Sequence, residues 1–364
     1  MRIAYIFHLI DGPKSGVYKK IIGQSKQWTG YGADVAFFIL TRKGLARSFA
    51  KNDAGIPAFV YEYERLAERF RKLSRLYSDV FKYSAGVIYF RFDLYHPAFE
   101  RIAKKIPVIV EINSDDISEF RLGNRLRHWY NYLTRTYLFS NAKGLIFESQ
   151  QLAGLPHFSC FGKPYLVMSN GIDLEQFRHF PAPGNPNPVI VFLGSARQPW
   201  HGVDKILWLA HHFKRWRFDL VGPDPDEFKG IPSNVLFHGF LQQFQYESLM
   251  SGANAAIGPL SLHLIGKEES SPLKVREYLA GGLPTIIGYQ DTDFPQGAPF
   301  LLQIGNRPDN VMNSVGKIEE FVNAWQNKRV SHDDIHSLDV RVKEKKRFDF
   351  ISHFDTGKKK GPVH

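Results

Sequence analysis

Two glutamates, Glu269 and Glu277, are the residues of this chain whose type and spacing best suit chemistry. They lie in EESSPLKVREYLAGGLP, residues 268–284, eight positions apart, with a Ser-Pro step between them and a Gly-Gly pair after them. On one continuous helix their carboxylates would diverge by roughly 80°. What they could bind therefore depends on where a helix begins between them.

The local signals predict a helix that begins between the two glutamates. Ser270 and Ser271 are good N-cap residues, and Pro272 suits the first helical position. The helix is expected to run to about Ala280, where the Gly-Gly pair ends it. Glu269 then lies in the entering loop and Glu277 in the helix.

The start of such a helix leaves backbone N–H groups unpaired, and these groups favour an anion. Acids on either side of the anion could hold hydroxyl groups. A phosphate in the middle with hydroxyls at both ends describes a nucleotide sugar. The alternative is that Glu277 is a solvated helix residue and Glu269 an ordinary surface acid.

Repeated strands and helices must position this segment. The first half alternates helical stretches such as VYKKIIGQSKQW with short apolar runs, namely RIAYIF, ADVAFFIL, GVIYFRF, PVIVEI and KGLIFES. After RHFPAPGNPNP the pattern restarts with VIVFLG, RFDLVG, NVLFHGF, AAIGPL and PTIIGY. Buried strands alternating with helices indicate parallel sheets covered on both faces.

The fold class is therefore α/β, with two Rossmann-like, doubly wound domains facing across a cleft. We predict an N-terminal Rossmann-like domain over 1–177, a linker over 178–188 and a C-terminal Rossmann-like domain over 189–310, which the family resemblance described below makes the acceptor and the donor-binding domain. Residues 311–364 are expected to hold a late helix, NVMNSVGKIEEFVNAWQNK, which could cross back to the first domain. The basic tail containing KEKKRF and GKKKGPVH is expected to be loosely held.

Composition limits the class of protein. The 364 residues carry a net charge of +11, and 43% are hydrophobic, so the chain is globular. Cys160 is the only cysteine, and neither a signal peptide nor an apolar run of about 20 residues is apparent. We expect a cytoplasmic protein, and the absence of nucleic-acid-binding motifs argues against that partner.

Three segments together resemble glycosyltransferase family 4, whose members are retaining enzymes of the GT-B fold. They are SNGIDLEQF before the linker, FLGSARQPWHGVDKI after it, and the EESSPLKVREYLAGGLP segment. The resemblance extends from the SGVYKKI loop to about Tyr289. It implies that the second domain holds a nucleotide diphosphate sugar, of UDP or GDP type, as a substrate, with no cofactor and no metal.

Carried over, the resemblance assigns roles in the second domain. Glu277 would bind the ribose hydroxyls and Glu269 would approach the sugar ring. The amides around Ser271 and Leu273 would face the diphosphate. Phe240 and Leu241, after the strand that ends near Gly239, would meet the nucleobase; packing in the core is the alternative for both.

The chain departs from the family at two positions that neutralise the leaving diphosphate. Ser195 and His201 stand where an arginine and a lysine are usual. Arg197 and Lys274 could supply the missing charges, although Arg197 could equally be a solvated loop residue. His201 would contribute charge only if protonated, and its ordinary pKa lies near 6.5.

In the first domain, Gly16 corresponds to a family glycine beside the diphosphate, or it is an ordinary turn glycine. Lys14, Lys19 and Lys20 are nearby cations. Asn113 stands near a position that is histidine in many relatives, and it could hydrogen-bond a sugar hydroxyl or the acceptor.

Three acids follow Asn113 in VEINSDDISEF. Asp115, Asp116 and Glu119 could lie on the acceptor side, or one of the two aspartates could cap a helix. No Asp-x-Asp pair at a strand end and no cluster with metal-ligand spacing is apparent.

One segment has the pattern of an amphipathic basic helix, RLAERFRKLSRLYSDVFKY. Its apolar stripe is Leu66, Phe70, Leu73, Tyr77 and Val80, and arginines and lysines lie beside it. RLRHWYNYLTRTYLF repeats the combination of arginine and aromatic residues. Both could rest on an anionic membrane surface, or the stripe could pack on the sheet with its cations solvated.

These observations favour a metal-independent glycosyltransferase that transfers a sugar to a glycan or lipid-linked acceptor. Such an enzyme would be cytoplasmic or peripheral on the inner leaflet. A GT-B sugar-nucleotide epimerase and a catalytically weak donor-binding subunit are the alternatives. A dehydrogenase is disfavoured because the loop DGPKSG lacks G-x-G-x-x-G.

Overall fold

The chain folds into two compact units. A computed structural model describes residues 1–10, 12–13, 15–50, 54–122 and 125–356. The first unit contains residues 1–168 and the chain from 341 onward, and the second contains residues 169–340. The second unit thus begins before the linker that the sequence predicted at 178–188.

A parallel sheet of seven strands forms the centre of the first unit, in the order β3-β2-β1-β4-β5-β6-β7. The strands are β1 Arg2–His8, β2 Asp34–Arg42, β3 Ala58–Tyr63, β4 Val87–Arg91, β5 Val108–Ile112, β6 Gly144–Phe147 and β7 Tyr165–Val167. The helices are α1 Gly16–Gly30, α2 Ala46–Ala50, α3 Leu66–Tyr83, α4 Pro97–Ala103, α5 Asp116–Leu122, α6 Arg125–Asn141, α7 Gln150–Gly154 and α8 Pro156–Ser159.

Strand β1 shows why its sequence is apolar throughout. Ala4 and Ile6 belong to the core on one face of the sheet, whereas Ile3, Tyr5 and Phe7 belong to the core on the other face. Side chains alternate between the faces of a strand, and helices cover both faces here. The continuous apolar runs in the sequence are therefore strands buried on both sides, as predicted.

The second unit repeats the arrangement with a parallel sheet of six strands, in the order β10-β9-β8-β11-β13-β15. Its strands are β8 Val189–Leu193, β9 Arg217–Val221, β10 Val235–Phe237, β11 Ala255–Ile257, β13 Thr285–Ile287 and β15 Leu301–Gln303, with the separate parallel pair β12 Glu269–Ser270 and β14 Gln290–Asp291. The helices are α9 Val203–His212, α10 Gln243–Gly252, α11 Leu273–Ala280 and α12 Val315–Ala324.

The strand order reverses between β8 and β11 in the second unit. In open parallel sheets, ligands bind beyond the carboxyl ends of the strands at such a switch point. Gly194 follows β8 directly, and the loop after β9 begins with Gly222. This edge of the second sheet is therefore the first place to look for a site.

The basic segment near the C-terminus is a packed helix, α13 Val340–Ser352, and the expectation of a loosely held KEKKRF tail was wrong. Lys343, Glu344 and Arg347 of α13 are buried in the first unit. The late helix predicted from NVMNSVGKIEEFVNAWQNK is α12, and it belongs to the second unit. GKKKGPVH begins at residue 357, outside the described residues.

Helix α3 buries most of its predicted stripe. Leu73, Tyr77 and Val80 lie in the core of the first unit, whereas Leu66 and Phe70 are exposed. The packing alternative therefore holds for the last three of the five stripe residues. The interpretation of α3 as a free apolar face was wrong for those three residues.

Candidate functional site

A pocket of about 480 Å³ opens at the carboxyl edge of the second sheet. The loops after β8 and β9 form its floor, where Gly222 has φ 97° and a Cβ on it would lie 2.3 Å from the carbonyl oxygen of Gly194. A side chain at position 222 is thus excluded by both space and backbone conformation. The glycine that ends this strand in the sequence lets the two loops meet.

The walls of this pocket bring together four residues that the sequence singled out. Lys274 and Glu277 of α11 line one side, and Phe240 and Leu241 line another. Tyr246, which the sequence analysis missed, donates a hydrogen bond from its hydroxyl to Glu277 at 3.1 Å. Glu277 therefore lies in a cavity wall, in contrast to the solvated-residue alternative.

Phe240 presents an aromatic ring to solvent, with 82% of its surface exposed, while Leu241 is half-buried against the core. The core-packing alternative fails for Phe240. An exposed ring beside a carboxylate and a cation suits a planar, polar ligand that can stack on it.

The start of α11 differs from the prediction in one respect. Pro272 is the N-cap and not the first helical residue, and no side chain caps the helix. Ser271 is fully buried, and its Oγ accepts a hydrogen bond from the backbone N–H of Asn170 at 3.0 Å. Ser271 therefore does not cap α11; its hydroxyl oxygen instead joins the start of the helix to the backbone at Asn170.

Two backbone amides remain available at this helix start. The N–H groups of Val275 and Arg276 bond to the carbonyl of Pro272. Within the described part of the chain, the N–H groups of Leu273 and Lys274 have no hydrogen-bond partner. Together with the helix dipole they favour an anion beside the pocket.

The charges around the pocket are set by burial. Burial lowers the pKa of Lys274 to about 8, and the Glu277 carboxylate opposes that shift, so Lys274 remains largely protonated at pH 7. Burial and the charge of Lys274 lower the pKa of His201 to about 4. A pKa of about 4 favours a neutral His201 at pH 7.

His201 has a definite hydrogen-bonding role instead. Its Nδ1 accepts the backbone N–H of Ser195 at 3.4 Å. A neutral imidazole that accepts at Nδ1 carries its proton on Nε2. The hydrogen bond between Ser195 and His201 thus holds the loop after β8. These are the two positions that are cationic in glycosyltransferase family 4, which the sequence resembles.

Arg197 lines a second cavity, of about 550 Å³, which shares Ser195 with the first. Its backbone is left-handed, with φ 57°, and its N–H donates to both carboxylate oxygens of Glu227 at 2.9 and 3.0 Å. The Arg197 side chain is exposed. The structure does not bring it to the pocket wall formed by Lys274 and Glu277.

Glu269 lies in the short strand β12, which pairs with β14. It is half-buried and, among the described residues, lines neither of these two cavities. Its approach to a sugar ring stays a prediction. Of Glu269 and Glu277, only Glu277 lines the 480 Å³ pocket.

In the first unit, Gly16 is the first residue of α1 and is exposed, and Ser15 caps the helix by accepting the N–H of Tyr18. Lys19 is exposed, and Lys14 lies outside the described residues. Lys20 points inward. Its Nζ donates to Glu111 at 3.2 Å and to Oδ1 of Asn113 at 3.3 Å.

Glu111 is the centre of a buried ionic cluster. Burial alone would raise its pKa, but the cations of Lys20, Arg91 and Arg347 lower it well below its usual range. Arg347 comes from α13 and lies 3.2 Å from Glu111. Asn113 therefore stands at a strand end that a network of charges holds in place.

The acids after Asn113 have structural partners. Both oxygens of Asp115 accept hydrogen bonds from the first turn of α5, so the capping alternative applies to this residue. Asp116 is buried and pairs with Arg135 at 2.7 and 2.9 Å. Glu119 accepts a hydrogen bond from Ser114.

Asp115 and Asp116 lie with His157 in a group whose ligand atoms are all within 4.8 Å of one another. The sequence did not indicate this group, because His157 is distant in the chain. Helix capping and Arg135 already engage the two carboxylates. The absence of a metal stays a prediction.

Comparisons with known proteins extend over nearly the whole chain. A glycosyltransferase from Rickettsia africae has a TM-score of 0.68 at 11% identity, covering 98% of this chain and 99% of that chain. The lipopolysaccharide outer core galactosyltransferase WaaB, in its apo form, has a TM-score of 0.63 at 13% identity, covering 96% and 99%. HepE from Anabaena, in complex with UDP-glucose, has a TM-score of 0.60 at 16% identity, covering 97% and 100%.

The two tandem parallel sheets match these structures from end to end. The chain has the GT-B fold. This confirms the predicted fold class. No protein-family model and no curated protein matches the chain.

One residue in this GT-B chain was missed by the sequence analysis although it lies inside the main motif. Arg276 is fully buried, and its guanidinium binds Asp291 at 2.7 and 2.9 Å and Asp293 at 2.7 Å. Its Nε also donates to the carbonyl of Asn170 at 3.2 Å. Arg276 thus anchors α11, and with it Lys274 and Glu277, to two distant segments.

Proposed function

We propose that this chain is a retaining glycosyltransferase of the family 4 type. It takes a sugar from a nucleotide diphosphate sugar and transfers it to a glycan or lipid-linked acceptor in cell-surface polysaccharide synthesis. The observation that carries the proposal is the pocket of the second unit, where Lys274, Glu277 and Phe240 line one cavity beside the unpaired amides of α11.

Each part of this pocket matches one part of a nucleotide diphosphate. The exposed ring of Phe240 suits a nucleobase. The carboxylate of Glu277 suits the ribose hydroxyls, which donate hydrogen bonds to it. Lys274 and the amides of Leu273 and Lys274 suit the diphosphate, because protonated amines and helix starts attract anions. HepE, a structural neighbour, is described in complex with UDP-glucose.

In the proposed reaction the bond between the sugar C1 and the diphosphate oxygen breaks, and the acceptor hydroxyl oxygen bonds to C1 on the same face. The acceptor proton passes to the leaving phosphate oxygen. Lys274 and the helix amides stabilise the negative charge that develops there. This arrangement retains the configuration at C1 and requires no protein base at Asn113.

A catalytically weak donor-binding subunit is the second candidate, favoured by one observation. Ser195 and the neutral His201 leave the loop after β8 with no charge at the two positions that are cationic in the family. Such a subunit would bind the nucleotide without turning it over. An epimerase would release a sugar without transferring it.

The test is turnover of UDP- and GDP-sugars, with and without membrane extract as a source of acceptor. Transfer of labelled sugar, with the anomeric configuration of the product read by proton NMR, is the expected result. Chelation by EDTA should leave the rate unchanged. Inverted configuration, free epimerised sugar, or binding without turnover would each contradict the proposal and identify the rival.

A further inference from the structure

Helix α6 carries a band of apolar and aromatic side chains on the outside of the first unit. Each member of the band is more than half exposed: Leu126, Trp129, Tyr132, Leu133 and Tyr137. Four of them are spaced by three, four and four residues, so they lie along one face of the helix. An exposed apolar band of this extent is unusual on the surface of a monomer and marks an interaction site.

The opposite face of α6 is firmly packed. Leu138 and Phe139 lie in the core of the first unit, and Arg135 pairs with the buried Asp116 of α5. The ring of Phe139 stacks on Phe92, with 5.5 Å between centroids. The exposed band is therefore held outward by a helix that is fixed in place.

The charged residues of α6 itself are all basic. The sequence of α6, RLRHWYNYLTRTYLFSN, contains no acidic residue, and its Arg125 and Arg127 are exposed. Arg121 of α5 is exposed as well. Tryptophan and tyrosine favour the interfacial region of a bilayer, and arginines near it are attracted to anionic lipid headgroups.

Helix α3 contributes further positive charge, but its exposed apolar surface is smaller than the band on α6. Leu73, Tyr77 and Val80 of α3 belong to the same core as Phe139 of α6, so the two helices cover the same face of the sheet. The outward side of α3 carries the exposed cations Arg71 and Arg75. The apolar anchor therefore lies on α6, with basic residues of α3 in the same layer of helices.

We propose that the outer face of α6 docks on an anionic phospholipid bilayer. Trp129, Leu126 and Leu133 enter the boundary between headgroups and acyl chains, and Arg125 and Arg127 contact lipid phosphates. Among the described residues, no helix has the length and apolar character needed to cross a bilayer, and surface docking requires none. This inference goes beyond the proposed function and does not depend on the donor pocket.

The test is flotation of the full-length protein with vesicles. We expect the protein to float with vesicles of equal parts phosphatidylglycerol and phosphatidylcholine and to stay behind with phosphatidylcholine alone. The double variant W129S/L133S should bind at least about tenfold more weakly, because two apolar anchors are lost. R125Q/R127Q should also weaken binding, and added salt should reduce wild-type binding.

A matched control removes apolar side chains of similar exposure from the second unit. Phe244 is 73% and Met312 57% exposed, against 59% for Trp129 and 67% for Leu133. The variant F244S/M312S should float as the wild type does. Thermal unfolding of each variant shows that the chain is folded.

A second measurement covers the case in which W129S/L133S does not fold. The fluorescence difference between wild type and W129F reports Trp129, and it should shift to the blue when anionic vesicles are added. The proposal is wrong if the wild type does not float, if W129S/L133S floats equally well, or if Trp129 shows no shift. A light-scattering mass that falls from dimer to monomer in W129S/L133S, without vesicle binding, would identify a second copy of the chain as the occupant.

Discussion

Replacing Glu277 by alanine should selectively remove recognition of the ribose. In the proposed complex the carboxylate accepts hydrogen bonds from the two ribose hydroxyls, and a hydrogen bond to a charged group contributes about 1.5 to 3 kcal/mol. In the variant, water replaces the carboxylate as a partner of the ribose hydroxyls and restores part of that energy. We therefore expect a net loss of binding free energy of about 2 to 3 kcal/mol. This corresponds to about a 30- to 150-fold rise in Kd for the nucleoside diphosphate.

The neighbours of Glu277 determine how the experiment is done. The Glu277 carboxylate raises the pKa of Lys274, which burial lowers to about 8, so its removal would lower that pKa further. Titration calorimetry is therefore run at pH 6, where Lys274 should stay protonated in both proteins. E277Q retains an acceptor for the hydroxyl of Tyr246 and separates loss of charge from loss of that contact.

The ligand provides the sharper control. Against a 2′,3′-dideoxy nucleoside diphosphate, wild type and E277A should bind equally, because no ribose hydroxyl is left to lose. Glu247 is a half-buried glutamate on the neighbouring α10, and E247A should bind the normal ligand as wild type does. The ribose assignment is refuted if E277A binds the normal ligand within about twofold of wild type, or if E277A loses affinity equally for both ligands.

Two further predictions concern the residues around Glu277. Donor binding should be strongest below about pH 8 and should weaken as the pH rises above it, because Lys274 loses its proton there. In calorimetry between pH 6 and 9, the affinity of K274M should depend much less on pH. If the pH dependence of K274M equals that of the wild type, Lys274 does not bind the donor. R276M should lower the free energy of unfolding by about 3 to 5 kcal/mol in denaturant titration, because it removes the buried cation that pairs with Asp291 and Asp293. The control K345A breaks an exposed ion pair and should lower it by at most about 1 kcal/mol. Similar losses in both variants would contradict the role of Arg276.

The sequence alone was sufficient for the two parallel sheets, and it singled out four residues that line one cavity of the second unit. Runs such as VIVFLG and RFDLVG combine buried strands with a terminal glycine, and both features are local. Glu277, Lys274, Phe240 and Leu241 followed from the resemblance, and all four line one cavity. The prediction for α11 was right about its end at Ala280 and wrong about its cap.

The sequence did not predict hydrogen bonds and ion pairs between residues that are far apart in the chain. Ser271 looked like a cap but bonds to Asn170, and no local signal in the sequence pointed to the pairing of Arg276 with Asp291. Which lysine of the first loop and helix points inward was equally open, until Lys20 was found beside Glu111 and Asn113. In each case the deciding contact joins residues that only the folded chain brings together.

Hydrophobic periodicity and the glycines that end strands are properties of a short stretch of chain. The sequence therefore determined the element types and the fold class. The basic helices show the limit of this reasoning. RLAERFRKLSRLYSDVFKY and RLRHWYNYLTRTYLF looked alike, yet α3 buries Leu73, Tyr77 and Val80, whereas α6 exposes Trp129 and Leu133. Tertiary structure decided which apolar face was covered, because burial depends on what packs against a helix and not on the helix itself.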